Sequence, residues 1–177
     1  MQRPPQPDPL FHVVLVEPEI PNNTGNAGRT CAATGCALHL VHPLGFETDE
    51  KAVRRAGMDY WLSLDVREHA GADAYRAHHA GARRWLLSAK AERSVFDADL
   101  RSGDHLVFGR ESSGLSDDWL DAEPDRCLSI PILPGIRGLN LATSVATVVY
   151  LGLDRLRARG EVGVDAAGRL ERTQNTG

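Results

Sequence analysis

His12-Val13-Val14-Leu15-Val16-Glu17-Pro18-Glu19-Ile20-Pro21-Asn22-Asn23-Thr24-Gly25-Asn26-Ala27-Gly28-Arg29 is the stretch from which the rest of the chain can be read. Its first five residues form a short apolar, β-branched run that stops at Glu17-Pro18, which predicts a buried strand. Asn23 to Thr34 reads as a loop turning into a helix, and Gly35 is placed to cap its C-terminus. A second strand, Ala37 to Val41, follows at once and closes at His42-Pro43. Strand, helix, strand in this rhythm implies an α/β domain with a largely parallel sheet.

The rhythm continues outward. Lys51 to Ala56 reads as a short basic helix, Asp65 to His69 as a weak strand and Ala72 to His79 as a helix. Arg84 to Ser88, His105 to Gly109 and Cys127 to Ile130 are further strand candidates, with a short acidic helix from Leu115 to Asp121. The last helix is expected from about Asn140 to Arg159. Leu141, Val145, Val148, Val149 and Leu156 recur there at helical spacing, with Gly152 on the same side. Residues 1–10 read as a disordered leader, 11–160 as one domain and 161–177 as a disordered polar tail.

Of the 177 residues, 42% are hydrophobic and 25% charged, an ordinary balance for a folded domain. No apolar run approaches the roughly 20 residues that span a bilayer. The first residues lack the apolar core of a signal peptide, so a cytoplasmic location is expected. Cys31, Cys36 and Cys127 form no C-x-x-C pair and suggest neither a disulfide framework nor a zinc cage. A net charge of −4 argues against nucleic-acid binding by bulk electrostatics but leaves room for local arginine patches.

Three segments carry more glycine and polar residues than packing requires. The first is the opening stretch: it follows a strand and enters a helix, so backbone N–H groups there can hold an anion. It has no G-x-G-x-x-G and no Gly-Lys-Ser/Thr, which disfavours dinucleotide and Walker-type readings. The second is Gly109-Arg110-Glu111-Ser112-Ser113-Gly114, where a glycine directly after a strand permits close approach of a ligand. The third is the apolar loop Ile130 to Leu139, entering a helix rich in small residues with Asn140 as a good N-cap. Such a loop is a plausible slot for an adenine ring.

In this order the three segments resemble the three motifs of the SPOUT superfamily of RNA methyltransferases, and more narrowly its SpoU/TrmH-type ribose 2′-O-methyltransferases. Glu17 to Asn26, Leu38 to Phe46 and Arg54-Arg55-Ala56-Gly57-Met58-Asp59-Tyr60 are similar to the small TrmL-type subfamily, which methylates the tRNA wobble ribose at cytidine or 5-modified uridine. The resemblance covers residues 12 to 157. It implies a SPOUT-type α/β knot, a parallel sheet flanked by helices with a C-terminal trefoil knot, which general topology rules would not suggest. It also implies a homodimer, S-adenosylmethionine as cofactor (S-adenosylhomocysteine as product) and tRNA as substrate, with no metal in the reaction.

Carried over position by position, the resemblance implies cofactor contacts at Leu87, Gly109, Ile130, Gly138 and Leu139. Arg29 matches the catalytic arginine, with Asn23, Glu111 and Asn140 as supporting groups. Arg54, Arg55 and Tyr150 fall at RNA-binding positions. Arginine stays protonated, so the expected role of Arg29 is to clamp phosphate and polarise the 2′-OH. His39 and His42 are alternative bases, more simply read as strand-end histidines. Gly138 stands where many relatives have serine. A dimer groove of Arg29, Lys51, Arg54, Arg55, Arg137 and Arg157 is expected to offset the acidic net charge. The alternatives are a 2′-O-methyltransferase for another tRNA or rRNA site, or a non-catalytic RNA-binding module. The length leaves no space for the extra RNA-binding domain of many rRNA-directed relatives.

Overall fold

The computed structural model describes residues 8–46, 61 and 63–173. Six strands, β1 (His12–Val16), β2 (Ala37–Val41), β3 (Val66–His69), β4 (Arg84–Leu87), β5 (His105–Phe108) and β6 (Cys127–Leu128), form one sheet in the order β3-β2-β1-β5-β4-β6. Every neighbouring pair is parallel. β2 and β5 are buried along their whole length, as expected where helices cover both faces of a parallel sheet.

Alternation along the strands sorts the side chains. Val13, Leu15, Leu38, Leu40, Leu106 and Phe108 join the core beneath α1 (Pro21–Thr34) and α4 (Leu141–Ala158). Val14, Val16, Val41, Leu86 and Val107 face the opposite way. They pack with Tyr75 of α2 (Ala72–His78) and Trp119 of α3 (Asp117–Ala122). The stripe of α4 is buried as its spacing requires, and Gly152 lets Phe11 lie against the helix: a Cβ there would sit 2.6 Å from the ring. Gly35 ends α1 in the left-handed conformation, with Cys36 N–H returning to Cys31 C=O at 3.0 Å.

Several boundaries differ from expectation. α1 begins at Pro21, so Asn23 lies in its first turn rather than in a loop; proline at the first helical position is pre-set for that start. β6 stops at Leu128, because Ser129 N–H turns to Arg93 C=O at 2.8 Å. The tail, expected to be disordered from Glu161, instead forms a hairpin of β7 (Val162–Val164) and β8 (Leu170–Arg172). Val162 is buried against the main core and Arg172 reaches the carbonyls of Asp8 and Gly35, which anchor the hairpin. At the other end Leu10 is already buried, its N–H bonded to Gly35 C=O at 3.0 Å. The expected helix at Lys51 to Ala56, with Arg54 and Arg55, lies outside the described residues. Among those described, no helix is long and apolar enough to cross a membrane.

Candidate functional site

The chain moves outward from β1 to β3, then returns to place β5 on the other side of β1. Strand order therefore reverses between β1 and β5, and open α/β sheets bind ligands beyond the carboxyl ends of strands at such a point. The segments after these two strands are stitched together there. Arg110 pairs with Glu17, which takes a positive φ of 52°. Ser112 donates to the Glu19 carboxylate from its N–H and its hydroxyl, both at 2.9 Å.

Beside this seam lies a cleft of about 480 Å³, running past the ends of β4 and β5 to the start of α4. All five positions implied as cofactor contacts, Leu87, Gly109, Ile130, Gly138 and Leu139, line it. So do Asn23, Glu111 and Asn140, which form a continuous hydrogen-bond chain. Asn140 Nδ2 donates to Asn23 Oδ1 at 2.8 Å, and Asn23 Nδ2 donates to Glu111 Oε1 at 3.1 Å. Asn140 Oδ1 meanwhile accepts from Ala142 and Thr143 N–H at 2.9 and 3.3 Å, capping α4. Glu111 also accepts the N–H groups of Glu19 and Ile20 at 2.8 and 3.2 Å. Both its oxygens are thus engaged, one of them twice. That makes it a brace between α1 and the loop after β5 rather than a proton acceptor.

The two glycines of the cleft do different things. A Cβ on Gly109 would lie 2.1 Å from the backbone of Gly114 and Leu115, so the missing side chain makes room for the returning turn. At Gly138 φ is +148°, a conformation side chains rarely adopt, and the space around it is open. A serine at that position would be strained in this backbone.

Arg29 is not brought into the cleft of its own chain. It sits on the exposed face of α1 with Asn22 and Asn26, whereas Asn23 is buried on another side of the helix. Tyr150 is 58% exposed on α4, as its place opposite the apolar stripe implied. The cleft also has residues not read as cofactor contacts: Arg137, Lys90 and Ser144 line it. Arg137 stands inside the apolar loop quoted above, and its charge among apolar neighbours was the available signal.

His39 and His42 do not line the cleft. His42 bonds Glu68 at 2.8 Å on the surface. His39 is fully buried among other imidazoles, and that burial, then the neighbouring rings, pushes its pKa far below the usual histidine value. A neutral buried imidazole on β2 is no base for a reaction at the ends of β4 and β5.

Residues 10–150 match the SpoU rRNA Methylase family. The chain is 46% identical over 142 residues to a tRNA (cytidine(34)-2′-O)-methyltransferase of Saccharophagus degradans, covering 80% of this chain and 92% of that one. It is 45% identical over 144 residues to the protein of the same description from an Acidovorax species, covering 80% and 89%. A solved structure described as giving structural insights into the 2-OH methylation of C/U34 on tRNA superposes with a TM-score of 0.79 at 42% identity, covering 84% of this chain and 97% of that one.

Proposed function

The chain belongs to the SpoU methylase family, and on that premise we propose that it transfers the methyl group of S-adenosylmethionine to the ribose 2′-OH of the tRNA wobble nucleotide, a cytidine or 5-modified uridine. One observation carries the reading: the five cofactor positions and the Asn140–Asn23–Glu111 hydrogen-bond chain occur together in one cleft. The relatives described as acting at cytidine 34, and the structure concerned with C/U34, support the wobble position over another tRNA or rRNA site.

The residues present fit the cofactor. A volume of about 480 Å³ lies within the usual range for small-molecule sites. Leu87, Ile130, Leu139 and Leu141 offer apolar walls for a purine, and the backbone at Gly138 is open to approach. When bound, S-adenosylmethionine supplies an electrophilic methyl carbon on a sulfonium sulfur. The chain's own task is positioning, which can account for several kcal/mol of the barrier, about 7–11 in the best-oriented systems. Asn23 and Asn140 hold the first turns of α1 and α4 in fixed relation across the cleft, and Glu111 locks the loop after β1 to the loop after β5. Arg29 binds a substrate phosphate and polarises the 2′-OH. Being permanently charged, it acts as a donor.

Arg29 is exposed on α1 and is not among the residues lining the cleft of its own chain, and Leu133 and Ile136 are 78% and 60% exposed beside that cleft. A site incomplete in one copy, next to an exposed apolar loop, supports a homodimer. The dimer groove then gathers Arg29, Lys51, Arg54, Arg55 and Arg137 against RNA, with Tyr150 exposed for a base or ribose. Arg157 contributes less, because Asp154 holds its guanidinium at 3.0 Å. The C-terminal trefoil knot, the cytoplasmic location and the absence of any membrane association belong to the same proposal. Incubation with labelled S-adenosylmethionine and tRNA lacking wobble ribose methylation, followed by nuclease mapping, tests it. Label is expected at the wobble 2′-oxygen. Label elsewhere overturns the substrate, and absence of both label and cofactor binding favours a non-catalytic RNA-binding module.

A further inference from the structure

Six of the seven histidines, all but His42, gather on the sheet face under α2, away from the face covered by α1 and α4. They come from four strands and the end of one helix: His12 opens β1, His39 lies in β2, His69 ends β3, His105 opens β5, His78 ends α2 and His79 follows it as its cap. His39 Nδ1 lies 2.9 Å from His69 Nε2, and its Nε2 lies 2.8 Å from His12 Nδ1. One ring nitrogen from each of His39, His69 and His79 lies within 4.8 Å of the others. His79 Nε2 is buried with no hydrogen-bond partner.

A stack of neutral imidazoles joined by hydrogen bonds accounts for His12, His39 and His69, since each neutral ring has one donor and one acceptor. It does not account for His79, whose ring lies beside those of His39 and His69 while its buried Nε2 has no hydrogen-bond partner. From this convergence we propose that His39, His69 and His79 form a site for a divalent transition-metal ion, zinc above all, that ties the end of α2 and the edge strand β3 to the neighbouring strand β2. Three imidazoles without a carboxylate or thiolate suit Zn²⁺ and exclude the oxygen-seeking Mg²⁺ and Ca²⁺. Two nitrogens on one tetrahedral zinc stand about 3.3 Å apart, so the His39–His69 pair needs to open by only about 0.4 Å. His12 then serves as the supporting residue: with His39 ligating through Nδ1, its Nε2–H donates to His12 Nδ1 and holds the ring's orientation.

The surroundings agree. Burial lowers the pKa of all three rings, that of His79 to about 4, so each is held in the neutral form that ligates. Arg67, whose charge acts on His69 and His79, is engaged by both oxygens of Asp65 at 2.7 and 3.2 Å. His69 and His79 are only half-buried, which gives an ion a way in. The fourth position is left for water. The site stands apart from the cleft, so its role is in holding the fold.

The test uses the full-length protein, stripped with a chelator and titrated with Zn²⁺, and with Co²⁺ as a spectroscopic substitute. One equivalent is expected to bind, with the intense visible absorption of tetrahedral Co²⁺ and a rise in the unfolding midpoint with Zn²⁺. His79→Ala and His69→Ala should weaken binding by at least about 100-fold, and His12→Ala by about 10- to 100-fold. His42→Ala, outside the cluster, should bind as the parent does. Binding that survives both ligand replacements, or a parent protein that gives only octahedral Co²⁺ spectra or takes up no ion, overturns the proposal. The Co²⁺ spectrum of the unaltered chain keeps the test decisive if a variant folds poorly.

Discussion

Gly109→Ala is the perturbation that ties the fold to the site. The added methyl would stand 2.1 Å from the carbonyl carbon of Gly114 and from the nitrogen of Leu115, and 2.4 Å from the Gly114 oxygen. Contact distance between such atoms is about 3.5 Å, so the turn must retreat by more than about 1 Å. The obstacle is backbone, and no side-chain rotation relieves it. That turn is closed by two hydrogen bonds, Gly114 N–H to Arg110 C=O at 2.9 Å and Arg110 N–H to Gly114 C=O at 3.2 Å. Losing them costs about 1 kcal/mol each, and the overpacking adds about 1–3 kcal/mol. A destabilisation of about 3–5 kcal/mol lowers the unfolding midpoint of a chain this long by roughly 6–20 °C.

The same turn carries Glu111, which braces Glu19, Ile20 and Asn23. A displacement near 1 Å at a positioning group can lower rate by about 100-fold. Methyl transfer should therefore fall by at least that factor under conditions where the variant is still folded. Thermal unfolding followed by tryptophan fluorescence and a labelled-methyl transfer assay read the two effects. A variant with the parent's midpoint and rate would refute the reasoning, since it would mean that the turn does not lie against Gly109.

Asn140→Ala removes the cap of α4 and leaves the Asn23 amide oxygen unpaired, and should lower stability by about 1–2 kcal/mol with a marked loss of transfer. Asn140→Asp keeps the capping oxygen but loses the donor to Asn23, so denaturant titration should show the capping share of stability restored while the transfer assay stays low. Asp104 is buried, accepts from Trp85 Nε1 and Arg101 N–H at 2.8 Å each and lies 3.1 Å from Arg83 Nε. Its replacement by alanine strands those partners and should cost about 3 kcal/mol in chemical denaturation. Arg29→Ala should nearly abolish methylation while leaving S-adenosylmethionine affinity, measured by calorimetry, close to the parent's. A parallel loss of cofactor affinity would mean that Arg29 acts on the cofactor instead.

Much of the fold is legible in local sequence because strand and helix periods report which side of an element meets the core. The apolar run His12 to Val16, the stripe of Leu141, Val145, Val148 and Val149, and the cap pairing of Asn140 with α4 are local facts, and the structure has them. The family resemblance likewise carried Leu87, Gly109, Ile130, Gly138 and Leu139, which meet in one cleft although 52 positions separate the first from the last. Local pattern was weaker where partners lie far along the chain. Val162 and Arg172 looked like polar tail because their anchors are the core and Gly35, not their neighbours.

The residues of one chain determine its hydrophobic faces, its caps and its turns, for these depend on neighbours a few positions away. Which distant residues touch depends on the order of strands in the sheet, and that order is settled by how the crossovers pack. Only the placing of β5 beside β1 brings Glu111 to Asn23, 88 positions away, and the return of α4 brings Asn140, 117 positions from Asn23. The same ordering turns six scattered histidines into one cluster, and the helical phase of α1 places Arg29 on the exposed face with Asn22 and Asn26, outside the lining of the cleft.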